Sequence, residues 1–158
     1  MADALEPAQS PGLLLWRATL NWQQLITATL KPLGLTHVQF VLLASTWWLT
    51  HVGNENPNQR RIADHAHTDP MMTSQVIRTL EAKGLLTRTP SPDDSRSRVV
   101  GVTETGTALA KQALQLVEST DRDFFAAIDD QRTLLSMLQI LSSGGGAGAG
   151  GGGGGEQL

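Results

Sequence analysis

Asn58-Gln-Arg-Arg-Ile-Ala-Asp-His-Ala-His-Thr-Asp69, then Pro70-Met-Met-Thr-Ser-Gln-Val-Ile-Arg-Thr-Leu-Glu-Ala-Lys-Gly84, then Leu85-Leu-Thr-Arg-Thr-Pro-Ser-Pro-Asp-Asp-Ser-Arg-Ser-Arg-Val-Val-Gly-Val-Thr103 follow one another without spare residues. The first reads as a short helix with Asn58 as its cap. In the second, Asp69 and Pro70 open a helix that Gly84 closes. The third is a β-hairpin with a charged tip.

Helix, tight turn, helix and hairpin in this order make a winged helix-turn-helix, which lays one helix in a groove of DNA with the hairpin beside it. The second helix divides into two faces. Val76, Ile77 and Leu80 form an apolar stripe that packs inward. Met71, Ser74, Gln75 and Arg78 fall at i, i+3, i+4 and i+7, on the opposite face. Gln75 can pair two-pronged with adenine, and Arg78 can do so with guanine or hold a phosphate. Thr73 and Ser74 suit backbone or base-edge contacts. On an isolated helix such a face is more often merely solvated; the hairpin directly behind it favours the reading role.

The hairpin supplies a second set of candidates. Arg88 and Arg98 lie on its strands, and Asp94, Ser95 and Arg96 at its tip. An arginine at such a tip can enter the minor groove, where the potential is most negative, and Asp94 is expected to fix the Arg96 rotamer. The alternative is a surface ion pair contributing under about 1 kcal/mol.

The net charge of −3 looks wrong for a DNA binder until it is located. Asn58 to Gly101 carries seven bases against five acids, whereas the remainder carries five against ten. Positive charge therefore gathers where phosphates would lie. There is no cysteine, which excludes disulfides, thiolate metal sites and cysteine-based redox sensing. No run approaches the ~20 apolar residues that span a bilayer, so the expectation is a soluble, cytoplasmic protein without membrane contact.

Outward from the centre the chain reads as helical, giving a mainly α (α+β winged-helix) fold of about six helices and a two-stranded wing. Ser10-Pro11 starts a long helix with Leu15, Ala18, Trp22, Leu25 and Thr29 on one stripe. Thr36-His-Val-Gln39 fits a capping box opening a second. Thr103 caps a long helix with Leu109, Ala113, Leu116, Val117, Thr120 and Phe124 in a stripe. Asp129 or Asp130 opens a last one bearing Leu134, Leu138 and Leu141, closed by Gly144. The divisions expected are residues 1–35 as arm and dimerisation helix, 36–103 as the DNA-binding domain, 104–141 as C-terminal dimerisation helices, and 142–158 as a glycine-rich disordered tail. The outer helices carry more apolar surface than a lone domain needs, so a homodimer on a palindromic operator is expected.

These residues resemble the MarR family of bacterial transcriptional regulators. The resemblance rests on Leu35-Thr-His-Val-Gln39, Leu80-Glu-Ala-Lys-Gly-Leu-Leu-Thr-Arg88, and the wing pattern Asp94-Ser-Arg96 followed by Val102-Thr-Glu-Thr-Gly106, and covers about Leu13 to Leu141. Val102 stands where the family has leucine, and Pro70-Met71-Met72 where it has small or polar residues. It implies an obligate dimer with interlocking terminal helices, acting as a repressor or, less often, an activator. It also implies release by a small, frequently aromatic or phenolic effector bound between the dimer helices and the DNA-binding lobe.

All four tryptophans lie in the first two helices, which in that family flank the effector pocket. Trp16, Trp22, Trp47 and Trp48, with Arg17 and His37, are thus candidates for holding a planar anion; filling a dimer core is the other role open to the tryptophans. No metal and no cofactor is expected, since His65 and His67 stand two apart on a helix and point apart. No catalytic motif stands in a sensible context. The competing reading is a winged-helix module for protein interaction or DNA architecture without effector response.

Overall fold

A computed structural model describes residues 6–144. The chain divides into two compact units, Met1–Asp121 and Arg122–Leu158. The order of elements is α1 (Pro11–Leu30), α2 (His37–His51), α3 (Gln59–Ala66), α4 (Pro70–Ala82), β1 (Leu86–Pro90), β2 (Arg98–Val102), α5 (Glu104–Phe125) and α6 (Gln131–Ser143), with single 3-10 turns at Pro7–Gln9 and Lys31–Leu33.

Local chemistry sets most of the helix starts. Ser10 Oγ accepts from the Leu13 amide, Asn58 Oδ1 from Arg61, Asp69 Oδ2 from Met72 and Asp130 Oδ1 from Thr133. Thr36 and Gln39 form the full reciprocal box. Each bond satisfies an amide that the first turn of a helix cannot.

One core organises the first unit. Ile26 and Leu30 of α1, Leu42, Leu43 and Leu49 of α2, Ile62, Ile77 and Leu80, the wing residues Leu86 and Val100, and Ala110, Ala113 and Val117 of α5 form a single buried cluster. α5 contributes three residues to it, and this compact unit runs to Asp121. The α1 stripe is also shifted from expectation. Leu15 and Leu25 are exposed, whereas Ile26 and Leu30 are buried. On α5 Leu116 is exposed and Ala110 takes its place in the core.

Two glycines are structurally required. Gly84 follows the end of α4 at φ +71°, in the left-handed region. Gly106 sits so close to the Leu85 carbonyl that a Cβ there would collide with it. That contact seats α5 against the base of the wing. Thr103 completes the joint: its hydroxyl donates to the Gly84 carbonyl at 2.7 Å and accepts from the Gly106 amide at 2.9 Å.

In the second unit, α6 is capped by Asp130 and reaches Ser143, so the helix includes Ser142 and Ser143, which were expected in the tail. Its Leu138 and Leu141 are exposed and Leu134 half-buried. The remainder of the expected tail lies outside the described residues.

Candidate nucleic-acid interface

α3 and α4 are joined by a turn of three residues. His67 ends α3 with φ 52°, in the left-handed region and so not as a helical residue. Thr68 and Asp69 follow, and α4 begins at Pro70. Gln75 and Arg78 are exposed along α4, Ser74 is half-buried, and Met71 is 75% exposed at the head of the helix. Arg78 makes no ion pair among the described residues.

Thr73 does not belong to this face. It is 1% exposed, its hydroxyl donates to the Asp69 carbonyl at 2.8 Å, and the Thr68 hydroxyl lies 2.7 Å from it. Since the Thr73 proton is committed to Asp69, Thr68 is the donor of that second bond. Thr73 therefore fastens the turn to the helix and presents nothing to a groove.

The wing pairs in antiparallel register, Leu86 with Val102, Arg88 with Val100 and Pro90 with Arg98. Directly opposed residues share a face, so Arg88 and Arg98 stand on the side that carries Leu86 and Val100 into the core. A further bond, Val100 N–H to the Pro57 carbonyl at 2.8 Å, draws the segment preceding α3 against β2. The result is a cleft of about 310 Å³ lined by Asn58, Gln59, Arg60, Arg88, Ser97, Arg98 and Val100.

Three arginines face this cleft, but they differ in availability. Arg88 Nε donates to Glu81 Oε2 at 2.8 Å, with the arginine side chain 24% exposed. It thus ties the wing to α4 through Nε, while its side chain still lines the cleft. Arg60 and Arg98 are exposed and make no ion pair among the described residues. Sequence reading did not single out Arg60. Its neighbour Arg61 is held two-pronged by Glu55, with both bonds at 2.8 Å. That contact lowers the Glu55 pKa and raises that of Arg61.

At the wing tip Asp94 acts on the backbone. Its carboxylate accepts from the Arg96 amide at 3.0 Å and its carbonyl from the Ser97 amide at 3.0 Å. This turn aims Arg96 outward, but the expected carboxylate–guanidinium pair that would fix the rotamer is not formed. Ser95 and Arg96 are both exposed.

Of the six candidate ligand residues, Trp22 and His37 meet. Trp22 donates its indole N–H to Asp121 at 2.7 Å and meets the His37 ring edge-on at 5.1 Å. Burial lowers the His37 pKa, opposed by the charge of Asp121. Trp47 stacks on His51 at 5.7 Å, and its indole Nε1 is buried without a hydrogen-bond partner among the described residues. Trp48 stacks on His65 at 5.2 Å. Trp16 and Arg17 are exposed on α1. No group of three or more metal-ligating side chains occurs among the described residues, and no single described helix is long and apolar enough to cross a membrane.

A capped reading helix, an arginine-tipped wing tied to it and free cations beside them define a winged-helix DNA-binding protein. Comparison with known proteins agrees. The family model described as MarR family matches residues 35–97. The HTH-type transcriptional regulator YdcH of Bacillus subtilis is 43% identical over 135 residues, covering 85% of this chain and 91% of its own. The HTH-type transcriptional repressor Rv2887 of Mycobacterium tuberculosis is 32% identical over 136 residues, covering 84% and 93%. The crystal structure of Rv2887 in complex with salicylic acid superposes with a TM-score of 0.64 at 31% identity, covering 89% of this chain and 99% of that one. CouR of Rhodococcus jostii, bound to p-coumaroyl-CoA, gives 0.76 at 25% identity, covering 89% and 94%. The chain belongs to the MarR family: it is a DNA-binding transcriptional regulator, not an enzyme.

Proposed function

We propose that this regulator is a repressor that binds a palindromic operator as a homodimer and leaves it on binding a small aromatic acid. The observation that carries the DNA reading is the shared exposure of Gln75 and Arg78 on α4, with an arginine-tipped hairpin fastened to the same helix through Glu81. Gln75, Ser74 and Arg78 face the base edges of a major groove. Arg96, flanked by Ser95, reaches the adjacent minor groove. Arg60 and Arg98, on the rim of the wing cleft, neutralise backbone phosphates.

Unpartnered apolar side chains support the dimer. Leu14, Leu15, Trp16, Leu20 and Leu25 of α1 are exposed, as are Leu135, Met137, Leu138, Ile140 and Leu141 of α6. A second copy of the chain would remove these faces from water. It would also set two reading helices about 34 Å apart, one turn of the duplex.

The aromatic effector is supported by the salicylic acid bound to Rv2887 and the aromatic acyl thioester p-coumaroyl-CoA bound to CouR, and by the half-buried Trp22–His37 pair. The unpartnered Trp47 N–H is a donor that a carboxylate could take up.

A duplex selected from a random pool, titrated by gel shift at physiological salt, tests the reading together with sedimentation of the free protein. The expected result is a dimer with specificity of at least about a thousandfold over unrelated DNA. A ratio near unity would favour an architectural module instead. Titrating salicylate and hydroxycinnamates against tryptophan emission and DNA affinity tests the effector, and indifference of both would remove it.

A further inference from the structure

The head of the reading helix is apolar where a base-reading surface is ordinarily polar. Met71 is 75% exposed and Met72 38%, with Pro70 exposed before them. Met71 shares its face with Ser74, Gln75 and Arg78 and with no other large apolar side chain of α4. This is a single long thioether standing in a polar row, which has no use for folding and is too small to be a protein-docking patch.

Resting on the DNA-reading assignment above, we propose that Met71 is a specificity-determining residue that reads the C5-methyl group of a thymine. The first turn of α4 is the part of a reading helix that meets base edges. Pro70, Met71 and Met72 offer no strong side-chain donor or acceptor there, and one oxygen of the Asp69 carboxylate is taken by the Met72 amide. The exposed Met71 side chain itself therefore has apolar contact, and not hydrogen bonding, as its means of discrimination. Among the four bases only thymine presents an apolar group in the major groove, and an unbranched, polarizable side chain can adapt to it.

Position follows from geometry. Four residues of helix separate Met71 from Gln75, about 6 Å along the axis. Successive base pairs are about 3.4 Å apart. The thymine thus lies one or two base pairs from the adenine that Gln75 pairs with, on the side of the helix N-terminus.

The test replaces each thymine of a selected duplex by deoxyuridine, which removes the methyl and leaves the hydrogen-bonding edge intact. In the full-length protein one thymine per half-site should be sensitive, with affinity falling about fourfold for each lost methyl contact. Met71→Ala should bind thymine and uracil duplexes equally at that position while keeping its response elsewhere, and Met71→Leu should restore discrimination. As Met71 is exposed, these variants should keep the parent's circular dichroism and melting temperature. A duplex whose thymines are all indifferent to the exchange would overturn the inference and leave the regulator reading standing. So would a Met71→Ala protein whose affinity falls by the same factor on both duplexes, keeping the parent's preference for thymine, since the residue would then be packing on sugar or on another protein. Failure to select any duplex would overturn the regulator reading, and this inference with it.

Discussion

Arg88 and Glu81 join the first wing strand to the reading helix, with Arg88 Nε donating to the carboxylate at 2.8 Å. The pair spans seven residues across the Gly84 turn, so it sets the angle between α4 and the wing, the two parts proposed to enter adjacent grooves. It also pairs one positive charge of the proposed interface with a carboxylate. In Glu81→Ala, Arg88 is released towards the cleft it already lines with Arg60 and Arg98. The pair is partly exposed, so its loss should cost under about 1 kcal/mol of stability. Non-specific DNA affinity at low salt should rise, and the plot of log affinity against log salt should steepen by about one phosphate contact. An unchanged or shallower slope would show that Arg88 stays out of reach even when unpaired.

Asp94 and Arg96 separate geometry from charge at the wing tip. Arg96→Ala should weaken binding to every sequence and flatten the salt dependence by about one contact. Asp94→Ala removes a negative charge, which by electrostatics alone would strengthen binding. It also removes the acceptor of the Arg96 amide, so the tip should loosen and affinity should fall. Asp94→Asn keeps an acceptor without the charge and should bind at least as well as the parent. Gel shifts of the three proteins on one duplex decide the matter; parity between Asp94→Ala and Asp94→Asn would show that the turn is irrelevant.

Thr73 and Gln75 lie two residues apart and should fail in opposite ways. Thr73→Val keeps the shape and the Thr73 amide still donates to the Asp69 carbonyl, but the Thr68 hydroxyl loses its partner, costing about 0.5–1.5 kcal/mol in thermal or urea unfolding. Its preferred operator should not change. Gln75→Ala should melt like the parent yet lose discrimination at one base pair by roughly 1–3 kcal/mol. Selection experiments on both proteins provide the check.

What could be read beforehand follows the range of each interaction. The caps at Ser10, Thr36, Asn58, Asp69 and Asp130 act on an amide three residues on, so sequence carries both partners. The wing was legible for a similar reason, its turn residues being contiguous. The burial of Thr73 was also within reach: Thr73, Ile77 and Leu80 fall at i, i+4 and i+7, the spacing of one buried stripe. Its hydroxyl suggested a polar face and misplaced it. The α1 stripe was harder, because a helix apolar on several sides has no single phase of burial. Arg88 with Glu81, and Trp22 with Asp121 ninety-nine positions later, are tertiary pairings that no local pattern encodes.

His37 gives the fold a pH dependence of defined sign. Burial against the Trp22 edge disfavours its charged form and lowers its pKa from the ordinary 6.5, although Asp121 pulls the other way. Lys31 and Lys83 line the same shallow depression and add positive charge there. Between the lowered folded value and 6.5 the unfolded chain holds the extra proton, so unfolding is favoured as pH falls through that window. The contribution is complete above 6.5 and is lost on acidification. Glu55 and Asp130 also have lowered values, from 4.5 and 3.8, but they act in a more acidic range. Melting temperatures between neutrality and about pH 5 should therefore fall less in His37→Gln than in the parent. The His37 ring proton, followed by NMR, should titrate below 6.5. A midpoint above that value would mean that Asp121 outweighs burial, and the stability profile would then tilt the other way.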